Sequence, residues 1–260
     1  MAEAREAGVV TRLFVDQPLG PGLAVALDAP RAHYLRNVLR AGPGETVALF
    51  NGRDGEWAAT LESLGKRGAE LRLLQRRRAQ QPDADLWLVF APIKRQRIDL
   101  LAEKASELGV AALWPVFTER TAVARVNLER LAANAIEAAE QTERLSVPRV
   151  IEPVTLGELA HRWPVERRLL LCAEAGAAKP IAEVLGALAR EHAHVPPPCA
   201  VMTGPEGGFA PAELDGLGKL PFVTAVGLGP RILRADTAAM AALACWQAIV
   251  GDGATRPPRR

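Results

Sequence analysis

Two short segments near the C-terminal end of the 260-residue chain hold the residue types best suited to chemistry. The first, Gly204-Pro205-Glu206-Gly207-Gly208-Phe209, follows the apolar run Ala200-Val201-Met202-Thr203. Closely spaced glycines let a backbone approach a ligand and leave amide N–H groups unobstructed. Taken alone, the loop is more simply a tight turn before a helix. It matches neither the Gly-x-Gly-x-x-Gly fingerprint nor a phosphate loop ending in Lys-Ser/Thr. The second segment, Leu228-Gly229-Pro230-Arg231-Ile232-Leu233-Arg234-Ala235, leads into Asp236-Thr237 and an apolar helix. Arginines among apolar residues are costly unless they meet an anion or the chain's own oxygens. Arg231 and Arg234 are therefore candidates to stabilise developing negative charge, and the alternative is that they saturate backbone carbonyls. Asp236 or Thr237 is the expected N-cap of the last helix.

The elements that must position these loops read as a parallel α/β array. Apolar runs at 86–91, 110–117, 169–173, 200–203 and 222–228 alternate with helical patterns at 98–108, 128–145, 181–192, 211–217 and 236–250. Runs too apolar to alternate are expected of strands buried on both faces, and ligands of such sheets bind beyond the carboxyl ends of the strands. On the long helix, Glu137, Glu140, Gln141 and Arg144 should form a polar stripe opposite Ala132, Ala135, Ile136 and Ala139. The first part differs. Short strands at 12–15, 23–27, 47–50, 57–61 and 69–74, separated by Gly/Pro/Asn turns, predict a small β-barrel. One helix is expected at 31–40, with Tyr34, Leu35, Val38 and Leu39 on its buried stripe. Residues 76–85, rich in Arg, Gln and Asp, read as a linker, which divides the chain into domains 1–78 and 79–260.

With 49% apolar and 24% charged residues the chain can bury a sizeable core. Its net charge of +2 permits a nucleic-acid partner without demanding one. Arg76, Arg77 and Arg78, and then Lys94, Arg95 and Arg97, are the densest basic runs, and each also reads as a solvated linker or helix start. Cys172, Cys199 and Cys245 lie in apolar stretches without metal-ligand spacing, so no metal site is expected. No secretory or membrane-spanning pattern is read, and a cytoplasmic location is expected.

The glycine loop, the 228–237 segment and the helix after it resemble the SPOUT methyltransferases, most closely the bacterial RsmE family of 16S ribosomal RNA uridine-N3 methyltransferases. The resemblance extends to His33-Tyr34-Leu35-Arg36-Asn37-Val38-Leu39-Arg40, Gly42-Pro43-Gly44, Lys104-Ala105-Ser106-Glu107-Leu108-Gly109 and Phe117-Thr118-Glu119-Arg120. Glu137-Ala138-Ala139-Glu140-Gln141, Arg144 and Pro148 complete it. It implies an RNA-binding PUA-like β-barrel followed by an α/β SPOUT domain with a deep trefoil knot. It further implies S-adenosylmethionine as cofactor, a homodimer, and 16S ribosomal RNA, within the small ribosomal subunit, as partner.

Carried onto matching positions, the resemblance places the cofactor against Leu171, Cys172, Thr203, Gly204, Pro205, Glu206, Gly207, Gly208, Leu228, Gly229, Ile232, Leu233 and Ala235. Arg231 and Arg234 become the catalytic candidates, and Arg12, Arg36, Arg40, Arg95, Arg120 and Arg144 the RNA-binding ones. The chain departs from the family pattern at Ala210, where a capping Ser is expected, at Asp236, where Glu is usual, and at Cys172. Another SPOUT methylation and a noncatalytic RNA-binding module are the competing readings. A dinucleotide-dependent oxidoreductase is disfavoured by the missing fingerprint.

Overall fold

The structure, a computed structural model, describes residues 8–173, 178–192 and 195–255; the side chain of Arg95 lies outside this description. The chain forms two compact units, residues 1–82 with 139–147, and residues 83–138 with 148–260. Among the described residues no helix is long and apolar enough to cross a membrane.

The first unit is built on strands β1 (Arg12–Phe14), β2 (Ala24–Leu27), β3 (Thr46–Phe50), β4 (Glu56–Leu64) and β5 (Ala69–Arg78), in the spatial order β1-β3-β4-β5-β2. β1 pairs parallel with β3, and the other pairings are antiparallel. Alternation sends Ala69, Leu71 and Leu73 inward and Glu70 and Arg72 outward along β5. Every strand feeds one core, which holds Leu13, Val25, Leu49, Trp57, Leu61 and Leu71.

The structure corrects two sequence expectations in this unit. The helix expected over 31–40 is a short α1 (Ala29–His33), capped by Asp28 and followed by a π-turn over Tyr34–Val38. The Leu39 N–H reaches the Tyr34 carbonyl, so the wider turn breaks the 3.6-residue stripe and leaves Val38 61% exposed while Leu35 stays buried. The arginine run is not a linker either. β5 continues through it, and Glu56 of the paired β4 lies 3.6 Å from Arg77 and 3.8 Å from Arg78. A carboxylate twenty residues upstream is brought opposite by strand pairing, which composition does not register.

The second unit holds β6 (Leu86–Phe90), α2 (Arg95–Glu107), β7 (Ala112–Phe117) and α3 (Leu128–Gln141), whose last residues belong to the first unit. It continues with β8 (Arg149–Val150), β9 (Val154–Thr155), α4 (Leu156–Arg162), β10 (Arg168–Cys172), β11 (Lys179–Pro180) and α5 (Ile181–Glu191). β12 (Cys199–Thr203), α6 (Pro211–Gly218), β13 (Val223–Gly227) and α7 (Ala235–Ile249) complete it. The sheet order is β11-β13-β10-β12-β6-β7-β8, all parallel, with β9 also pairing β7. β6 and β12 are buried at every position, as strands covered on both faces must be.

Below this sheet Trp87, Trp114, Trp163 and Phe222 form one aromatic cluster, in which Trp114 and Trp163 stack at 5.9 Å. Arg167, 5% exposed, lies over Trp87 and donates to the carbonyls of Asp85 and Cys199. Helix α4 was not expected from periodicity, yet its capping box is written in the sequence. The Thr155 hydroxyl accepts from the Glu158 N–H while the Glu158 carboxylate accepts from the Thr155 N–H.

Helix α3 ends sooner than its pattern suggests, at Gln141, and Glu143 takes a left-handed φ of 61°. Arg144 is therefore off the helix, and the buried stripe is Leu131, Ala135, Ala138 and Ala139.

Candidate functional site

The strand order reverses direction around β10: β12 lies on one side of it and β13 on the other. The segments leaving β12 and β13 therefore emerge beside the end of β10, at the topological switch where open parallel sheets bind ligands. A cleft of about 740 Å³ lies there, within the range of small-molecule sites.

The cleft brings together nearly all of the cofactor positions expected from the sequence. Cys172, Thr203, Gly204, Pro205, Glu206, Gly207, Gly208, Leu228, Gly229, Ile232, Leu233 and Ala235 line it, together with Arg231 and Arg234. Leu171 is the exception. It is 2% exposed and packs into the core with Trp87 and Met202, because alternation along β10 turns it away from the cleft that Cys172 faces. Ile232 stands at the mouth, 82% exposed, rather than on the apolar floor. Val226 and Leu214 also line the cleft and were not foreseen; Ala173 and Phe209, the ends of the 169–173 run and of the glycine loop, line it too.

Sterics explain the glycines. A Cβ on Gly204 would come within 2.9 Å of the Phe209 ring, so this position must be bare for the ring to fold under the loop. Gly229 has a φ of 100°, a conformation side chains rarely adopt. The loop's other end is held by Glu213, whose carboxylate accepts from the buried Ala210 N–H at 2.9 Å and from the Glu119 N–H at 2.8 Å. Glu213 thus supplies a helix-start contact although Ala210 has no capping oxygen. The sequence reading missed it; the Glu three residues past the α6 boundary is the signal that would have found it.

Charge is confined to a few lining side chains: Arg120, Glu206, Arg231 and Arg234. Glu206 is the one carboxylate among the described lining residues. Arg120 reaches the rim from the turn after β7 and donates to the Gly207 carbonyl at 3.1 Å. Burial, reinforced by neighbouring Cys245, pushes the Cys172 thiol up to about 12, so it stays protonated and unreactive. The last helix is not capped by Asp236 or Thr237. Arg234 holds the cap position, and Asp236 lies 3.5 Å from Arg97 of α2 while accepting the Thr237 N–H.

The RNA-binding candidates separate into different environments. Arg12 is turned inward: its guanidinium contacts Glu56 at 2.6 Å and donates to the carbonyls of Ala139, Glu140 and Arg144. Its guanidinium donors are thus engaged within the first unit. Arg40 is exposed and Arg36 partly so, with its Nε on Asn37. Arg144 belongs to the first unit, where its backbone carbonyl receives Arg12. Arg95 opens α2, and its side chain lies outside the described part.

Comparison with known proteins accords with this geometry. Residues 80–247 match the family described as RNA methyltransferase domain, and residues 27–74 match the RNA methyltransferase PUA domain. The chain is 30% identical over 236 residues to ribosomal RNA small subunit methyltransferase E of Rickettsia conorii, covering 90% of this chain and 93% of that protein. It is 32% identical over 228 residues to the protein of that name from Synechocystis, covering 87% and 73%. A crystal structure of ribosomal RNA small subunit methyltransferase E from Neisseria gonorrhoeae, bound to S-adenosylmethionine, superposes with a TM-score of 0.82. That match has 32% identity and covers 93% of this chain and 98% of the other. A PUA-like unit joined to an α/β methyltransferase unit, with the cleft where two glycine-containing loops meet, makes the chain a member of the ribosomal RNA small subunit methyltransferase E family of RNA methyltransferases.

Proposed function

We propose that the protein is an S-adenosylmethionine-dependent methyltransferase acting on N3 of a uridine in 16S ribosomal RNA. The observation that carries this reading is the single cleft formed by the 204–209 and 228–235 segments at the switch point. Its residues fit the cofactor. The volume suits a nucleoside with an amino-acid arm, Val226, Leu228, Leu233 and Phe209 offer apolar contact to a purine, and the bare Gly204 keeps the loop backbone open to polar groups. When bound, S-adenosylmethionine supplies an electrophilic methyl group on a sulfonium.

The chain's own residues do the rest. The apolar part of the lining, Val226, Leu228, Leu233 and Phe209, favours a reaction in which a uracil anion and a cationic donor lose their charges. Holding the acceptor nitrogen in line accounts for about 7–11 kcal/mol of the barrier. Arg231 and Arg234, exposed residues of the cleft lining, are proposed to stabilise charge developing on the uracil carbonyl oxygens. Glu206 is the lining group able to accept the N3 proton.

Arg36 and Arg40 of the first unit, with Arg95, Arg120 and Arg144, are proposed to meet RNA phosphates. Arg40 supports this: it holds a left-handed φ of 57°, a conformation costing about 1–2 kcal/mol for a side chain other than glycine. Strain retained at an exposed arginine is more readily explained by use than by stability. A trefoil knot is proposed from the family and fits a strand order with β10 between β12 and β13, and the strongly apolar α7 supports a homodimer with the cleft beside the interface. The proposed place of action is the small ribosomal subunit in the cytoplasm.

The test is nucleoside mass spectrometry after incubation with S-adenosylmethionine and either bare 16S transcript or small subunits lacking the modification. The expected product is 3-methyluridine. A ribose-methylated nucleoside or another methylated base would assign a different SPOUT activity, and absence of cofactor binding by calorimetry would leave a noncatalytic RNA-binding module.

A further inference from the structure

The glycine loop is fastened from outside by a turn that belongs to neither of its flanking elements. The 117–121 turn starts at the last residue of β7 and is locked internally. The Thr118 N–H donates to the Thr121 hydroxyl at 3.0 Å, the two hydroxyls lie 2.9 Å apart, and the Thr121 N–H donates to the Thr118 carbonyl at 3.1 Å. From this rigid turn two bonds cross to the cofactor side. The Glu119 N–H donates to the Glu213 carboxylate at 2.8 Å, and the Arg120 guanidinium donates to the Gly207 carbonyl at 3.1 Å. The second oxygen of Glu213 accepts from the Ala210 N–H, where the loop enters α6. One carboxylate therefore bridges backbone donors on two segments about ninety residues apart in the chain.

We infer that Glu213 is a positioning residue for the cofactor, and that the 117–121 turn, through Glu213 and Arg120, sets the aperture of the 204–210 loop. Neither bond needs to touch the cofactor. Loops with several glycines lose much conformational entropy when ordered, so a loop ordered before binding saves that cost at the moment of binding. A charged acceptor holding two backbone donors is the stronger kind of hydrogen bond, and the Ala210 donor, on a buried residue, would otherwise be left without a partner, whereas the exposed Glu119 donor would turn to water. Glutamate is needed at 213 for reach and charge. Aspartate is one methylene shorter. Glutamine replaces one accepting oxygen by an NH₂ group, which opposes one of the two N–H donors.

The inference rests on S-adenosylmethionine being the cofactor, and the experiment separates the two. Calorimetric titration of the full-length wild type, Glu213→Gln and Arg120→Ala with S-adenosylmethionine, without RNA, gives cofactor affinity directly. Steady-state methyl transfer then gives KM for S-adenosylmethionine and kcat. Glu213→Gln is expected to raise Kd and KM about tenfold, equivalent to about 1.4 kcal/mol, with kcat at saturating cofactor within about twofold of wild type. Arg120→Ala, which leaves the buried Ala210 donor satisfied, should raise Kd about threefold and decides the matter should Glu213→Gln not fold. A residue that only stabilised the fold would lower Tm and leave KM unchanged well below that temperature. Unchanged Kd in the folded variants, or a fall in kcat at unchanged KM, overturns the inference. A wild type that binds no S-adenosylmethionine overturns the functional reading itself.

Discussion

At the scale of single residues, the cleft divides its work by charge. Arg231 sits at the mouth rather than on the floor, so Arg231→Ala should lower kcat by about 10² or more while changing cofactor affinity less than about threefold. Parallel calorimetry and single-turnover kinetics check this, and equal losses in both would make Arg231 a structural arginine. Glu206 makes a distinct prediction. With Glu206 as base, the wild-type rate should not depend on uracil ionising by itself. In Glu206→Gln the rate should instead climb about tenfold per pH unit as uracil ionises unaided, with cofactor affinity retained. A variant whose pH–rate profile overlays the wild type removes Glu206 from the proton transfer. The other charged side chains lining the cleft are Arg120, Arg231 and Arg234, and the Cys172 thiol is kept protonated by burial, so no second acceptor among the described lining residues confuses the profile.

At the scale of elements, turns are held by side chains that cannot be exchanged freely. In the 51–55 turn between β3 and β4, Asp54 accepts from the Leu19 N–H at 2.9 Å and from the Asn51 amide at 2.6 Å. These bonds, backbone first, hold its carboxyl below the ordinary value of 3.8. The sign follows: a folded-state value below the unfolded one adds stability that is complete above about pH 4 and is lost as pH falls through the lower folded-state value. Asp54→Asn should therefore be less stable than wild type in urea at pH 7, and the gap should narrow as pH drops below 3.8. A gap independent of pH would mean that the loss is steric rather than ionic. The same logic of local fastening explains the π-turn after α1: it displaces Val38 outward and delivers Arg40 in its left-handed conformation at the surface.

At the scale of the whole molecule, two arginines that look alike in sequence stand in opposite surroundings, Arg12 bonded within the first unit and Arg40 exposed. Arg12 is 12% exposed and bonded to Glu56, itself 4% exposed, and to the carbonyls at the end of α3. Arg12→Ala should cost about 2 kcal/mol in denaturant titration, because it removes the nearest partner of a buried carboxylate, left with Arg77 and Arg78 at 3.6 and 3.8 Å, and uncovers the partial negative charge of a helix terminus. Arg40→Ala should leave stability nearly unchanged or raised and should make RNA affinity less salt-dependent, lowering the slope of log K against log salt by about 0.7–0.9. If the slope stays constant in Arg40→Ala, the first unit's RNA contact does not run through this residue.

The residues lining the cleft and the PUA-like identity of the first unit came from the family resemblance; the sequence patterns by themselves determined the parallel α/β class, the short strands of the first unit and the two glycine-containing segments. These are legible because burial on both faces, glycine spacing and turn chemistry are local and recur every two to four residues. The tertiary structure alone decided that the loops converge, because strand order places β10 between β12 and β13. It also decided that Leu171 faces the core, that Arg77 and Arg78 lie near Glu56, that Asp236 lies near Arg97, and that Glu213 ties Glu119 to Ala210. The physical reason is distance along the chain. A hydrogen bond reaches about 3 Å, whereas the partners of Glu119 and Arg12 lie 94 and up to 132 residues away, and only the packing of the elements between them brings them within reach.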